Sequence, residues 1–120
     1  MNAIQLQTEL NQFTGTEEYH RMNGLLLTDG ARYLAERAGA FWLMDVIWSY
    51  VATSKKIREE GFLSCKLSVK DNKARFVIDD GNDNVLATQE IEYTDFPLDE
   101  IGLFAQRYGK DYVVMLPSEY

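Results

Sequence analysis

The spacing of apolar residues changes from helical to alternating at Gly61. Upstream, Ile4, Leu6, Leu10 and Phe13 lie in a Gln- and Glu-rich segment and predict a short amphipathic helix at about 3–12. Glu17 to Arg21 reads as an extended edge piece. Leu25-Leu26-Leu27 then runs into Thr28-Asp29-Gly30, where Thr28 or Asp29 can accept hydrogen bonds from the orphan N–H groups of a helix start. Helices are expected at about 29–38 and 40–53, divided at Gly39, because glycine inside a helix costs about 1 kcal/mol relative to alanine. The second helix carries Phe41-Trp42-Leu43-Met44-Asp45-Val46-Ile47-Trp48-Ser49-Tyr50-Val51 and is apolar around nearly its whole circumference. Such a helix is covered by its own domain or by a second chain. Lys55-Lys56-Ile57-Arg58-Glu59-Glu60 reads as a charged, solvated exit.

Downstream, Leu63, Cys65, Leu67 and Val69 alternate with Ser64, Lys66, Ser68 and Lys70, which predicts a half-buried strand. Strands are expected at about 62–70, 74–79, 85–93, 101–107 and 112–116. Asp71-Asn72, Asp79-Asp80-Gly81-Asn82-Asp83-Asn84 and Gly109-Lys110 supply turn residues that tolerate positive φ, so consecutive hairpins follow. The predicted fold is α+β, with N-terminal helices packed on one face of a five-stranded antiparallel meander, in a single domain spanning 1–120.

Composition narrows the setting. A chain of 120 residues with 46% hydrophobic side chains can build a core without a staple. The single cysteine, Cys65, and single histidine, His20, leave no intramolecular disulfide and no zinc ligand set. Ala40 to Ala52 is too short to cross a bilayer, and the N-terminus lacks the basic and apolar regions of a signal peptide, so a cytoplasmic location is expected. The net charge of −7 disfavours nucleic acid and anionic membranes, and the acid is concentrated after residue 61. Lys55, Lys56 and Arg58 form the one cationic cluster along the chain, with Glu59 and Glu60 directly behind it.

Candidate chemistry is sparse, and the sequence points to no catalytic residue, metal or cofactor. The acidic turn at 79–84 lacks the glycine position of a calcium loop and reads as a hairpin. Cys65 falls on the apolar side of its strand, where a thiol is a small hydrophobe. Gly24 to Gly30 has neither the spacing nor the lysine of a phosphate-binding loop. Asp45 is the most informative residue, because a carboxylate amid Phe41, Trp42, Val46 and Trp48 requires donors. It reads either as a buried structural hydrogen bond or as part of a small pocket or interface. Tyr19, His20, Arg21, Trp42, Asp45 and Trp48 are the candidate binding residues.

Tyr19-His20-Arg21, Thr28-Asp29-Gly30-Ala31-Arg32-Tyr33-Leu34 and Ala38-Gly39-Ala40-Phe41-Trp42-Leu43-Met44-Asp45 resemble an uncharacterised family of small bacterial proteins, often encoded on plasmids and phages. Tyr93-Thr94-Asp95-Phe96-Pro97-Leu98 and Leu116-Pro117-Ser118-Glu119-Tyr120 extend the resemblance over most of the chain. The resemblance implies one domain and no transferable activity.

The leading expectation is a non-enzymatic cytosolic protein-interaction module that uses part of the aromatic helix or an acidic sheet rim. It is expected to form a homodimer with Trp42 or Trp48 at the interface. The alternative cover for that helix is 29–38 folding back over it. The rival function is a small-molecule-binding domain or enzyme with a pocket using His20 and Asp45. A third reading is an acidic mimic of nucleic acid directed at a basic protein. Convergence of Tyr19, His20, Arg21, Trp42 and Asp45 on one concave site favours the rival, and dispersal favours the interaction module.

Overall fold

A computed structural model describes residues 2–120. Helix α1 (Ala3–Leu10) starts where the Asn2 side chain accepts the Gln5 N–H, and buries Leu6 and Leu10. Two short strands follow, β1 (His20–Met22) and β2 (Leu25–Leu27). Helix α2 (Asp29–Arg37) is capped by Thr28, whose hydroxyl accepts from Ala31 N. It ends before Gly39, which takes φ 60°, and α3 (Phe41–Thr53) begins. A single further turn, α4 (Lys55–Arg58), leads into β3 (Phe62–Lys70), β4 (Lys73–Asp79), β5 (Val85–Ile91), β6 (Glu100–Tyr108) and β7 (Asp111–Met115), and Pro117–Glu119 form a closing 3-10 turn.

The architecture is α+β, but the sheet is not a five-stranded antiparallel meander. It has seven strands in the order β1-β2-β7-β6-β3-β4-β5, and β2 runs parallel to β7. Two local causes overturn the meander. The link from β5 to β6 does not turn back beside β5. It wraps the β3–β4 turn, with Thr94 N donating to Asn72 O and Val69 N to Asp99 O, and sinks Phe96 and Leu98 into the core. That detour delivers β6 to the free edge of β3, where Cys65 faces Leu103. The other cause is Asn23-Gly24, a two-residue turn with Asn23 at φ 53°, which folds 20–27 into a hairpin where only an edge piece was expected.

The helices lie on the sheet face that presents Leu63, Cys65, Leu67, Phe76, Ile78, Leu103 and Ala105, and these join Leu34, Leu43, Met44 and Ile47 in one core. Cys65 is buried there, and desolvation, aided by the nearby Asp79, pushes its thiol pKa up to about 12. Helix α3 is not covered all round. It buries Leu43, Met44, Ile47 and Val51, holds Trp42, Val46, Trp48 and Tyr50 half-buried, and leaves Phe41, Asp45 and Ser49 exposed. The sheet and α2 supply the cover for its buried side.

The C-terminus is fastened to the start of α2 by Glu119. Its Oε1 accepts from the Thr28 hydroxyl at 2.6 Å and from Leu116 N at 2.9 Å, and its Oε2 accepts from Gly30 N at 3.0 Å. A carboxylate suits a helix N-terminus, where unpaired N–H groups carry partial positive charge. A Cβ at Gly30 would lie 2.5 Å from Glu119 Oε1 and 2.7 Å from Leu116 Cδ1, so a larger residue there would push the clasp side chains aside. Replacing Glu119 by alanine leaves Gly30 N and Leu116 N short of an acceptor and the Thr28 hydroxyl with only its longer bond to Val114 O. Glu119→Ala is expected to lower stability by about 2–3 kcal/mol and Glu119→Gln by about half that, read from urea midpoints at unchanged slope.

Candidate functional site

At one end of the sheet the β1–β2 and β6–β7 turns meet the second half of α3 and the α4 turn. The ends coincide because β2 is parallel to β7, which sets Leu25 beside Tyr112 at the start of both strands. Between them lies a cavity of about 420 Å³. Arg21, Arg58, Arg107 and Lys110 line it together with one carboxylate, Asp111. Its apolar wall is Trp48, Val51, Ala52 and Tyr112.

Each cation is placed by a different element. Arg21 comes from β1 and holds Asp111 through two long bonds of 3.3 Å. Arg58 ends α4 and donates to Ala52 O at 3.2 Å, a cation set against the C-terminal carbonyls of α3. Tyr112 fixes that turn to the sheet: its buried hydroxyl accepts from Gly61 N at 3.0 Å and donates to Arg58 O at 3.0 Å. Arg107 leaves the end of β6, and Lys110 sits in the following turn, after Gly109 at φ 63°.

The charge pattern is unusual for a chain of net charge −7. Of the twelve Lys and Arg side chains, Arg21, Arg32, Arg37, Lys55, Lys66 and Arg75 stand within ion-pair distance of a carboxylate among the described residues. Three of the remaining six, Arg58, Arg107 and Lys110, face this one cavity. Converging like charges over a low-dielectric wall focus the field and attract an anion.

The six candidate binding residues are dispersed. Arg21 and Trp48 belong to the cavity. Asp45 is exposed, not enclosed by its aromatic neighbours, because its position falls on the outer stripe of α3 with Phe41 and Ser49. It accepts from the Asn23 side chain at 2.9 Å and so ties the β1–β2 turn to α3. In that turn Gly24 packs on Trp48 so closely that a Cβ would lie 2.0 Å from the indole. Trp42 lines a separate hollow with Ile91 and Tyr93, and Tyr19 is exposed with its ring 6.4 Å from Tyr108.

His20 lines a hollow with Arg21, Arg32 and Glu36 that does not include Asp45 or either tryptophan. Arg32 Nη1 lies 2.9 Å from His20 Nδ1, and a guanidinium can only donate, so Nδ1 accepts and the proton sits on Nε2. Nε2–H then donates to Asp29 Oδ1 at 2.7 Å. Both ring nitrogens are engaged, which leaves His20 no lone pair for a substrate proton. The bond from His20 holds the Asp29 carboxyl below its ordinary range, helped by the Glu17 N–H and by Thr16.

Arg58, Arg107, Lys110 and Tyr112 escaped the sequence reading. Arg58 looked like a solvated helix end, and the others are brought to it from β6 and β7. Asn23-Gly24 was the one legible signal, a turn motif that would have placed Arg21 on a hairpin.

Two outcomes test this geometry. Asp29 has a folded pKa below its unfolded value of about 4, so its contribution is fully present above that pH and is lost as pH falls through the folded pKa. The gap in urea midpoint between the wild type and Asp29→Asn is therefore expected to narrow from pH 7 to pH 3. Asp45→Ala is expected to change stability by less than about 0.5 kcal/mol, as for an exposed hydrogen bond. A larger loss in the same urea titration would place Asp45 in a water-excluded site.

No curated protein matches the chain. Among solved structures it is similar to the crystal structure of a protein of unknown function from Enterococcus faecalis, at 21% identity and a TM-score of 0.46, over 67% of this chain and 77% of that one. No helix among the described residues is long and apolar enough to cross a membrane. The profile of a family of unknown function (DUF6876) matches residues 4–120, and the chain belongs to that family.

Proposed function

We propose that this protein is a non-catalytic, cytoplasmic binding module whose working site is the cationic cavity at the end of the sheet, and that it takes a small anionic ligand with an apolar body. The observation that carries the reading is the convergence of Arg58, Arg107 and Lys110, none of them paired with a carboxylate among the described residues, on one cavity walled by Trp48 and Tyr112. A volume of about 420 Å³ is in the range of small-ligand sites, which combine apolar walls with a few convergent polar groups. The dispersal of Tyr19, His20, Trp42 and Asp45 speaks against the pocket first expected around His20 and Asp45, and the full engagement of the His20 ring speaks against its use as a base. The site takes Trp48, Val51 and Ala52 from the aromatic helix but lies away from the acidic rim, the other surface first expected to meet a partner.

Benzoate and phenyl phosphate, titrated separately into uniformly labelled protein, test the reading. Amide and indole shifts are expected to move at Arg21, Trp48, Arg58, Arg107 and Lys110. The double variant Arg107→Glu, Lys110→Glu is expected to weaken binding of the stronger ligand by about tenfold or more, since both side chains are exposed and reversal repels the anion. Absence of saturable shifts with both probes, or shifts centred on His20 or Trp42, would defeat the proposal.

A further inference from the structure

Resting on the reading of this cavity as an anion site, we infer that its ligand is a phosphate monoester in the dianionic state, carried on a small planar or apolar body. Arg21, Arg58 and Arg107 are guanidiniums arriving from β1, α4 and β6, and Lys110 is an ammonium from the next turn, so donors approach the cavity from several sides. A carboxylate is planar, has two oxygens and one charge, and is satisfied by a single guanidinium fork. Placed here, it leaves the remaining cations repelling one another. A phosphate monoester has three terminal oxygens in a tetrahedral array and accepts from several directions at once.

The charge also matches. Four cations and the Asp111 carboxylate leave the cavity an excess of positive charge that one negative charge does not neutralise. Asp111 already engages Arg21, at 3.3 Å on each arm, which is long for a charge-assisted bond and leaves that guanidinium with donors to share. Arg58 is held by its bond to Ala52 O, and Tyr112 fastens the turn that carries it, so part of the donor set is preorganised. The side chains of Trp48, Val51 and Ala52 in the same lining carry no acceptor for a sugar-like polar body and suit a planar or aliphatic one.

Four probes separate the possibilities by calorimetry on the full chain: phenyl phosphate, phenyl sulfate, benzoate and a short phosphotyrosine peptide. Phenyl sulfate shares the tetrahedral shape but carries one charge. Phenyl phosphate is expected to bind about tenfold or more tightly than phenyl sulfate or benzoate at pH 7.5. Its affinity is expected to fall as pH drops through about 6, where the monoester takes up its second proton, whereas that of phenyl sulfate stays flat. Arg107→Gln is expected to reduce the advantage of phosphate over benzoate, and circular dichroism checks that the variant is folded. Equal affinity of phenyl phosphate and benzoate, or no fall with pH beyond that of the sulfate, overturns the dianion while leaving the anion site standing. Phosphotyrosine peptide binding about tenfold tighter than phenyl phosphate overturns the small ligand in favour of a phosphorylated protein. No binding of any probe removes the anion site and this inference together.

Discussion

The carboxylate of Glu119, set against the first turn of α2, is the constraint on which the rest of the molecule depends. It satisfies donors from Thr28, Gly30 and Leu116 at the point where β2 hands over to α2 and β7 hands over to the closing turn. The Thr28 N–H donates to Val114 O, which continues the β2–β7 ladder up to this junction. A parallel pair has no turn of its own to set its register, so side-chain fasteners at the strand ends must do so. Once the pair is held at this end, its opposite end brings the β1–β2 and β6–β7 turns side by side. The cationic cavity is a consequence of that placement.

Electrostatics at the two ends differ in kind. At the clasp a negative group is matched to backbone N–H donors and is fully paired. At the cavity positive groups converge with one partial partner, Asp111, while the remainder of the surface is acidic. Buried polar groups elsewhere are satisfied: among the described residues no buried side-chain nitrogen or oxygen lacks a hydrogen-bond partner. The unpaired charge of Arg58, Arg107 and Lys110 stands in a solvated hollow, where it costs little in the free protein and remains available to a ligand.

The segments that carry the family resemblance are mostly fasteners. Tyr93 to Leu98 wraps the β3–β4 turn and plugs the core with Phe96 and Leu98. Leu116 to Tyr120 is the C-terminal clasp, and Thr28-Asp29-Gly30 is the surface it grips. His20, Asp29 and Arg32 form a hydrogen-bonded chain that binds β1 to the start of α2. Their residue types read as chemistry in one dimension and act as structure in three. Asp45 is of the same kind, since it steadies the turn that seats Gly24 on Trp48.

Local sequence determined the helices and the five long strands of the sheet, because amphipathic spacing and turn residues act over a few positions. Phe62–Lys70 shows this directly: Leu63, Cys65 and Leu67 are buried, and the alternating Lys66, Ser68 and Lys70 are exposed. The strand order was decided elsewhere. Period-two spacing says which face of β6 is apolar, but not whether it pairs with β5 or β3. That choice was made by the path of 92–99 around a distant turn. The same limit hid the cavity, because Arg21, Arg58, Arg107 and Lys110 come from separate elements and meet only when β2 lies beside β7. Burial pattern is a property of a segment, whereas convergence of charge is a property of how segments are packed, and only the tertiary structure contains it.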